Sequence, residues 1–471
     1  MKRQLYLLLL LLFSFSTQAQ EEWSLVRCIE HALENNLSIG QAQIGADFAK
    51  IDQKQAKHAR MPNLNFSSSL NSNFGLATDP ITNTNVTQNF VSNGLQLSSG
   101  VTVFNGFRIS NSIKQTTLDA LASEYDLEHT RRNTAIFVAN GYLNVLAAQE
   151  NVEISKTQLL TSQEQLVQTQ RLIDAGVRPA NEALDIEAQI ANNEQLVISA
   201  ENNEELALLE LKQLLLLDPN VSMVLVVPEN LSVESDPDIL EFEQVYNSAI
   251  KNQYDIKAAD TRIESAVLGK KVAEAGLFPS VNLFASIGSS YTNKGQRIDG
   301  FVDQVFEDDL IINGQPVTIE QTQQVPVFSD NPYFNQLDEN LSYGFGVSLN
   351  YPIYNNYSNR GSIERAKLNI LNAENQSEQA RQGLKNTIQQ ALAGAKAAKK
   401  RLNAANRSLE AQNASFNNAE KRFNAGTINT FEYVSIKNSQ LEAQVNAVLA
   451  KYEYVFAVKV LDFYMGKPIN I

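Results

Sequence analysis

The chain has 471 residues and a formal net charge of −14, with 52 acidic residues against 38 basic ones. Binding to phosphate backbones needs clustered Lys and Arg, so this balance disfavours nucleic acid as a partner. Cys28 is the only cysteine, which excludes an intramolecular disulfide. His31, His58 and His129 are scattered without a metal-ligand spacing. No G-x-S-x-G, H-E-x-x-H, phosphate-loop or dinucleotide motif occurs, so the sequence offers no basis for an enzyme, a metal site or a cofactor.

Residues 1–20 read as a secretory signal: Lys2 and Arg3, an apolar run from Leu7 to Phe13, then Thr17-Gln18-Ala19 suited to small-residue cleavage. The run is too short to span a membrane, and no later run reaches about 18 apolar residues, so no transmembrane helix is expected. Loss of Lys2 and Arg3 would take the formal charge from −14 to −16. Arg27 is bulky and charged where lipid processing of Cys28 would need a small residue, so Cys28 is expected to be a buried thiol in a helix.

From there the chain repeats itself. His31-Ala32-Leu33-Glu34-Asn35-Asn36 reappears in character as Ser248-Ala249-Ile250-Lys251-Asn252-Gln253, and Met61-Pro62 as Phe278-Pro279, 217 positions on. Further along the offset becomes 250: Val103-Phe104-Asn105-Gly106-Phe107 answers to Ile353-Tyr354-Asn355-Asn356-Tyr357, and Asp174-Ala175-Gly176-Val177 to Asn424-Ala425-Gly426-Thr427. A constant period over most of the chain means duplicated architecture, here 21–235 and 236–471.

Each copy carries two segments of period-two alternation, at about 63–75 and 94–104 and at about 280–291 and 341–352. Leu64, Phe66, Leu70 and Phe74 share one face, as do Leu341, Tyr343, Phe345, Val347, Leu349 and Tyr351 in the last segment. Phe284 alone breaks the alternation of the third. Each segment is about long enough to cross a bilayer as a tilted strand. A half-buried soluble sheet would give the same pattern. The opposite faces, built from Asn, Ser, Gly, Gln and Thr, and the export signal favour lipid on the apolar side. Four strands cannot close a barrel, so membrane strands would require several chains to share one.

No proline interrupts Gly106 to Ala175 or Ser358 to Ala425, two helical stretches each on the order of 100 Å long. Val138, Val145, Val152, Leu159, Leu166 and Ile173 recur every seven residues, with Gly141, Ala148, Ser155, Ser162 and Thr169 three places on; Ile388, Ala395, Leu402, Leu409, Phe416 and Phe423 repeat the scheme. A sustained heptad seam predicts coiled-coil packing. Glycine suits the left-handed residue that ends each helix in Ala175-Gly176-Val177-Arg178-Pro179 and Ala425-Gly426-Thr427-Ile428-Asn429. Return helices follow at about 181–217 and 430–464, so each copy is expected to be a helical hairpin, 106–217 and 358–464, with its turn far from the strands.

Signal, duplicated halves, paired strands, very long hairpins and the turns Arg171-Leu172-Ile173-Asp174-Ala175-Gly176 and Arg422-Phe423-Asn424-Ala425-Gly426 together resemble the TolC family of outer-membrane efflux proteins. The resemblance covers essentially the whole chain after the signal. It implies a mainly α fold with transmembrane β-strands, in which a homotrimer forms a 12-stranded β-barrel among outer-membrane lipid, continuous with a 12-helix α-barrel in the periplasm. It also implies an inner-membrane pump and a periplasmic adaptor docking at the helical turns, here around Gly176, Gly426, Arg171 and Arg422. By position, Glu432 matches an acidic ring of the family's periplasmic gate, Ser435 falls on the second ring, and Glu182 matches an acidic latch residue. Phe423 stands where a hydrogen-bonding tyrosine is typical and Ile428 where a basic latch residue is, so the family's polar latch is not expected in its usual form. Arg178 is expected to pair with Glu432 or Glu182 instead.

Nearly 50 residues separate the third and fourth strands, against about 20 between the first two. This longer loop, 292–340, carries Asp299, Asp303, Glu307, Asp308, Asp309, Glu320, Asp330, Asp338 and Glu339 against Lys294 and Arg297. Long loops of such barrels belong outside the cell. The expected function is passive conduction gated at the turns, with energy supplied by a partner. The rival reading is an exported structural or adhesive coiled-coil protein without a pore. The tunnel reading admits a small compound, a metal ion or a polypeptide as cargo.

Overall fold

A computed structural model describes residues 21–78, 84–87, 89–227, 235–312 and 314–467; the expected signal at 1–20 lies outside them. In chain order the elements are β1 Glu21–Trp23, α1 Leu25–Asn35, α2 Leu37–His58, β2 Asn63–Asn73, β3 Leu76–Thr78, β4 Asn85–Thr87, β5 Phe90–Asn105, α3 Arg108–Asp174, α4 Asn181–Leu214, β6 Met223–Leu225, α5 Phe242–Asn252, α6 Tyr254–Glu274, β7 Ser280–Thr292, β8 Gln296–Ile312, β9 Gln315–Asp330, α7 Tyr333–Glu339, β10 Ser342–Asn350, α8 Ser358–Asn424 and α9 Thr430–Tyr464. Among the described residues no helix is long and apolar enough to cross a membrane.

Both sequence offsets recur in the backbone. The pair α1–α2 returns as α5–α6 with starting residues 217 apart, and α3 and α8 end 250 apart. Even the break between paired helices is copied: Asn36 (φ −64°, ψ 127°) and Gln253 (φ −77°, ψ 129°) are each one extended residue whose N–H still bonds to Ala32 or Ala249. One extended residue between two helices leaves no Gly or Pro signal, so beyond the helix expected around Cys28 neither pair is legible as a pair in the sequence. The chain forms two compact units, 1–51 with 117–266 and 369–471, and 52–116 with 267–368. Each takes segments from both halves of the duplication, so they do not coincide with the 21–235 and 236–471 copies.

In the second unit β10, β7, β5 and β2 form, in that order, one antiparallel sheet. Its apolar face is exposed, Tyr343 being 81% and Phe345 88% exposed. The exception at Phe284 has a packing cause. Phe284 lies directly opposite Gly100 of β5 and Gly346 of β10, and a Cβ at Gly346 would come within 2.5 Å of its ring. The aromatic ring covers the gap that Gly346 leaves on the polar face, a cross-strand pairing that outweighs alternation.

The expectation of four strands per chain holds for this sheet alone; the described residues contain ten. The segment 292–340, read as a loop, is largely a two-stranded hairpin, β8 with β9, followed by α7. Asp303, Glu307 and Asp308 interrupt the apolar alternation, so the segment reads as polar loop although its backbone is laddered. Glu307 even sits directly opposite Glu320, an arrangement of like charges that weakens a ladder.

The core of the first unit gathers where β1 and β6 pair in parallel. Val138, Tyr142, Leu143, Val145 and Leu146 of α3 pack there with Trp23, Leu25, Cys28, Leu211, Leu215, Met223, Leu225, Val448 and Val455. The Tyr142 hydroxyl lies within hydrogen-bond distance of the Trp23 and Val226 carbonyls, which fixes the helix to this small sheet. Cys28 is fully buried in α1, and burial pushes its thiol up to about 12.

Candidate functional site at the helix turns

Both long helices stop in the same way. Gly176 and Gly426 have φ +72°, the left-handed conformation that costs glycine least. Val177 N–H bonds to Leu172 O at 2.9 Å and Gly176 N–H to Ile173 O at 2.9 Å, while Thr427 bonds to Arg422 O and Gly426 to Phe423 O. These paired bonds satisfy helix-end carbonyls that would otherwise lack donors. The return helices differ at their starts. Asn429 caps α9 by accepting from Glu432 N–H at 2.8 Å, whereas Ala180 gives α4 no side-chain cap.

The first turn is fastened to the second hairpin by Arg178. Its Nη1 donates to Glu182 Oε2 at 2.6 Å, its Nη2 to the Phe423 carbonyl, and its guanidinium lies 3.9 Å from the centre of the Phe423 ring. Both charged side chains are largely buried, 7% and 15% exposed. A cation bonded to a carbonyl in the last turn of α8 also meets the negative end of that helix dipole. Glu182 Oε2 accepts a further hydrogen bond from Thr430 Oγ1 at 2.9 Å. Thus one ion pair joins the start of α4, the end of α8 and the start of α9.

Arg178 is therefore brought to Glu182 and not to Glu432. Glu432 is exposed and lies 3.4 Å from Arg422, itself about half exposed. Ser435 is exposed one turn further on. Phe423 and Ile428 are buried with Ala419 and Tyr433 in an apolar cluster. The Phe423 and Tyr433 rings stack 4.5 Å apart, and burial, with the Glu420 charge, pushes Tyr433 up to about 12. Gly176 and Gly426 act as helix stops, and Arg171 is exposed on the last turn of α3.

Sequence reasoning missed Thr430, Tyr433 and the polar cluster behind them. Lys437 is 2% exposed and its Nζ donates to Ser162 Oγ at 3.1 Å. Ser162 also accepts from Asn193 Nδ2 at 2.8 Å; Asn193 Oδ1 accepts from Gln189, which exchanges hydrogen bonds with Asn438. Desolvation holds Lys437 down at about 8 despite the opposing pull of Glu420 and Glu164. The spacing Tyr433, Lys437, Leu441 would have placed Lys437 on a buried stripe. Among the described residues no group of three His, Cys, Asp or Glu side chains is arranged to hold a metal.

The model of the family described as outer membrane efflux protein matches residues 28–215 and 245–467. Nodulation protein T of Rhizobium leguminosarum bv. viciae is 25% identical over 283 residues, covering 59% of this chain and 56% of that protein. Outer membrane protein TolC of Escherichia coli (strain K12) is 22% identical over 196 residues, covering 40% of this chain and 39% of that protein. The chain thus spans about half or less of the curated relatives it matches. Among solved structures, the outer membrane protein VceC of Vibrio cholerae superposes with a TM-score of 0.71 at 16% identity, covering 95% of this chain and 97% of that one. The open state of the Neisseria gonorrhoeae MtrE outer membrane channel gives 0.65 at 18% identity, covering 95% and 89%. At these identities the shared property is the fold.

Proposed function

Because the chain belongs to the outer membrane efflux protein family, we propose that it is the outer-membrane conduit of a tripartite efflux or type I secretion system. One observation carries this reading: among the described residues the four-stranded sheet ends in two unpaired edges, β2 and β10, and leaves Leu64, Phe66, Leu70, Tyr343 and Phe345 exposed on one face. In lipid an open edge leaves backbone groups without partners, so such a sheet must be completed by others like it. Three chains would supply a 12-stranded barrel and, from α3, α4, α8 and α9, a barrel of twelve helices. An adhesive coiled-coil protein with a soluble cap would instead have to hide those side chains.

In the proposed assembly the conduit is passive and an inner-membrane pump and periplasmic adaptor supply the energy, the adaptor meeting the turns around Gly176, Gly426, Arg171 and Arg422. Arg178 and Glu182 hold the turns closed against Phe423 and Ile428. Glu432 and Ser435 sit beside them at the positions of the acidic rings. Purified protein in planar bilayers, with its mass measured in parallel, tests both levels. A trimer with discrete conductance steps that grow in Arg178→Ala is expected. Unchanged steps in the variant would remove the gate and leave the conduit; a monomer without conductance would remove the conduit itself.

A further inference from the structure

A cavity of about 760 Å³ lies among α3, α8 and α9. Its lining runs along α9 from Lys437 to Lys451, roughly 20 Å of helix. One wall is the heptad seam of α8, Leu402, Leu409 and Phe416, faced by Ile154 and Val448. The polar groups are divided between the two ends. At one end Lys451 and Glu150 lie 3.8 Å apart and compensate each other, with Glu153 alongside.

At the other end two donors lack an acceptor that matches them. Lys437 is buried, bonded to the neutral Ser162 hydroxyl, and in no ion pair with a carboxylate among the described residues. Glu420 of α8 and Glu164 of α3 act on it only from a distance, and α4 presents the neutral Asn193 and Gln189. Gln158, one helical turn from Ser162 on α3, is 9% exposed and its Nε2 has no hydrogen-bond partner. A buried ammonium and a buried amide N–H₂ in this state each cost stability. A two-oxygen anion offers what both lack, and the apolar wall beside them suits a hydrocarbon or aromatic body.

We propose that this cavity binds an amphipathic carboxylate, its oxygens taken by Lys437 Nζ and Gln158 Nε2 and its apolar body laid along Phe416, Leu409 and Leu402. Binding favours charged Lys437, so the site takes up a proton in the range where the free lysine is partly neutral, around pH 8. The pocket's lining shares no residue with the turn residues assigned to gating, although Phe416 of its wall packs against the Phe423 and Tyr433 cluster.

Titration calorimetry on the full chain in lipid nanodiscs tests the site with 2-naphthoate and the uncharged 2-naphthalenemethanol. At pH 7 naphthoate should bind more tightly than the alcohol, and its affinity should fall about tenfold per pH unit above about 8. At pH 8 its heat should depend on the buffer, reporting proton uptake. Lys437→Met should abolish the preference for naphthoate while leaving the alcohol unchanged; Lys437→Arg should restore it, and Gln158→Leu should weaken naphthoate by about tenfold. The pH dependence and Gln158→Leu test the site independently of Lys437→Met. Equal binding of the two probes, pH-independent binding, undiminished naphthoate affinity in Gln158→Leu, or no naphthoate binding at millimolar concentration would each overturn the proposal.

Discussion

Along α3 the buried seam changes its chemistry between Val152 and Ser155. Up to Val152 it is dry: Val138 and Val145 are fully buried, packed with Leu143, Leu211 and Val455. Beyond that point Ser155, Ser162 and Thr169 are buried, while Leu159, Leu166 and Ile173 of the same heptads are only half-buried. Close-packed hydrocarbon admits one arrangement, because any shift opens voids. Hydrogen bonds such as Lys437–Ser162–Asn193 contribute little net stability each and exchange for water at small cost. The first stretch is therefore a frame, and the second, leading to the turns, is a region that can repack.

The largest effect expected from breaking this contrast is at Arg178. Arg178→Ala leaves Glu182 largely buried without its cation and removes the ring contact with Phe423, which together cost about 3–5 kcal/mol of local stability at the turns. Hydrogen exchange of the amides from Phe423 to Thr427 should accelerate accordingly, with the β1–β6 core unaffected. Comparable acceleration in both places would mean that frame and turns unfold as one unit. Leu143→Ala probes the frame: an unrelaxed cavity there costs about 2–5 kcal/mol. The melting temperature should fall while the exchange of the turn amides stays as in the parent.

Lys437 gives the third comparison, with the opposite sign. Burial holds it down at about 8, while an unfolded lysine titrates near 10.4. Below about pH 8 both states are protonated and the folded state bears the full cost of a buried charge; as pH rises towards 10.4 the folded lysine is already neutral and that cost disappears. Lys437→Met should therefore stabilise the protein at pH 7 by about 1–4 kcal/mol. The gain should shrink as pH rises from about 8 and be nearly gone above about 10.5. A gain that does not vary over that window would mean that methionine acts through packing and not by removing charge.

The frame was legible in sequence because its period is carried by Val, Leu and Ile. The turns were legible because Gly176 and Gly426 must be left-handed, and because Arg178 stands four residues before Glu182. The polar seam was not, since Ser155, Ser162 and Thr169 read as small residues that let helices approach; only the geometry shows that all three are more buried than the apolar residues beside them and that the two serines are bonded to their own helix. Nor does sequence distinguish a buried Lys437 from the many solvated lysines of these helices. The β8–β9 hairpin escaped for the converse reason, its charged residues masking an extended pairing that needs only backbone groups.

The smallest effect is expected at Arg422 and tests whether proximity at the turns is enough to make a charge pair matter. Arg422 and Glu432 are 3.4 Å apart, within ion-pair distance, yet both are about half exposed. Water screens them and holding two long side chains in one geometry costs entropy, so the pair contributes less than about 1 kcal/mol. The Arg178–Glu182 pair, which reaches the carbonyl of Phe423 next to Arg422, is shielded and bonded on several sides. Arg422→Ala should leave the exchange of the turn amides within about fivefold of the parent, and raising salt should erase even that difference. If Arg422→Ala instead opens the turns as widely as Arg178→Ala, burial is not what distinguishes the two pairs, and closure is held by the summed charge of the turns and not by one shielded staple.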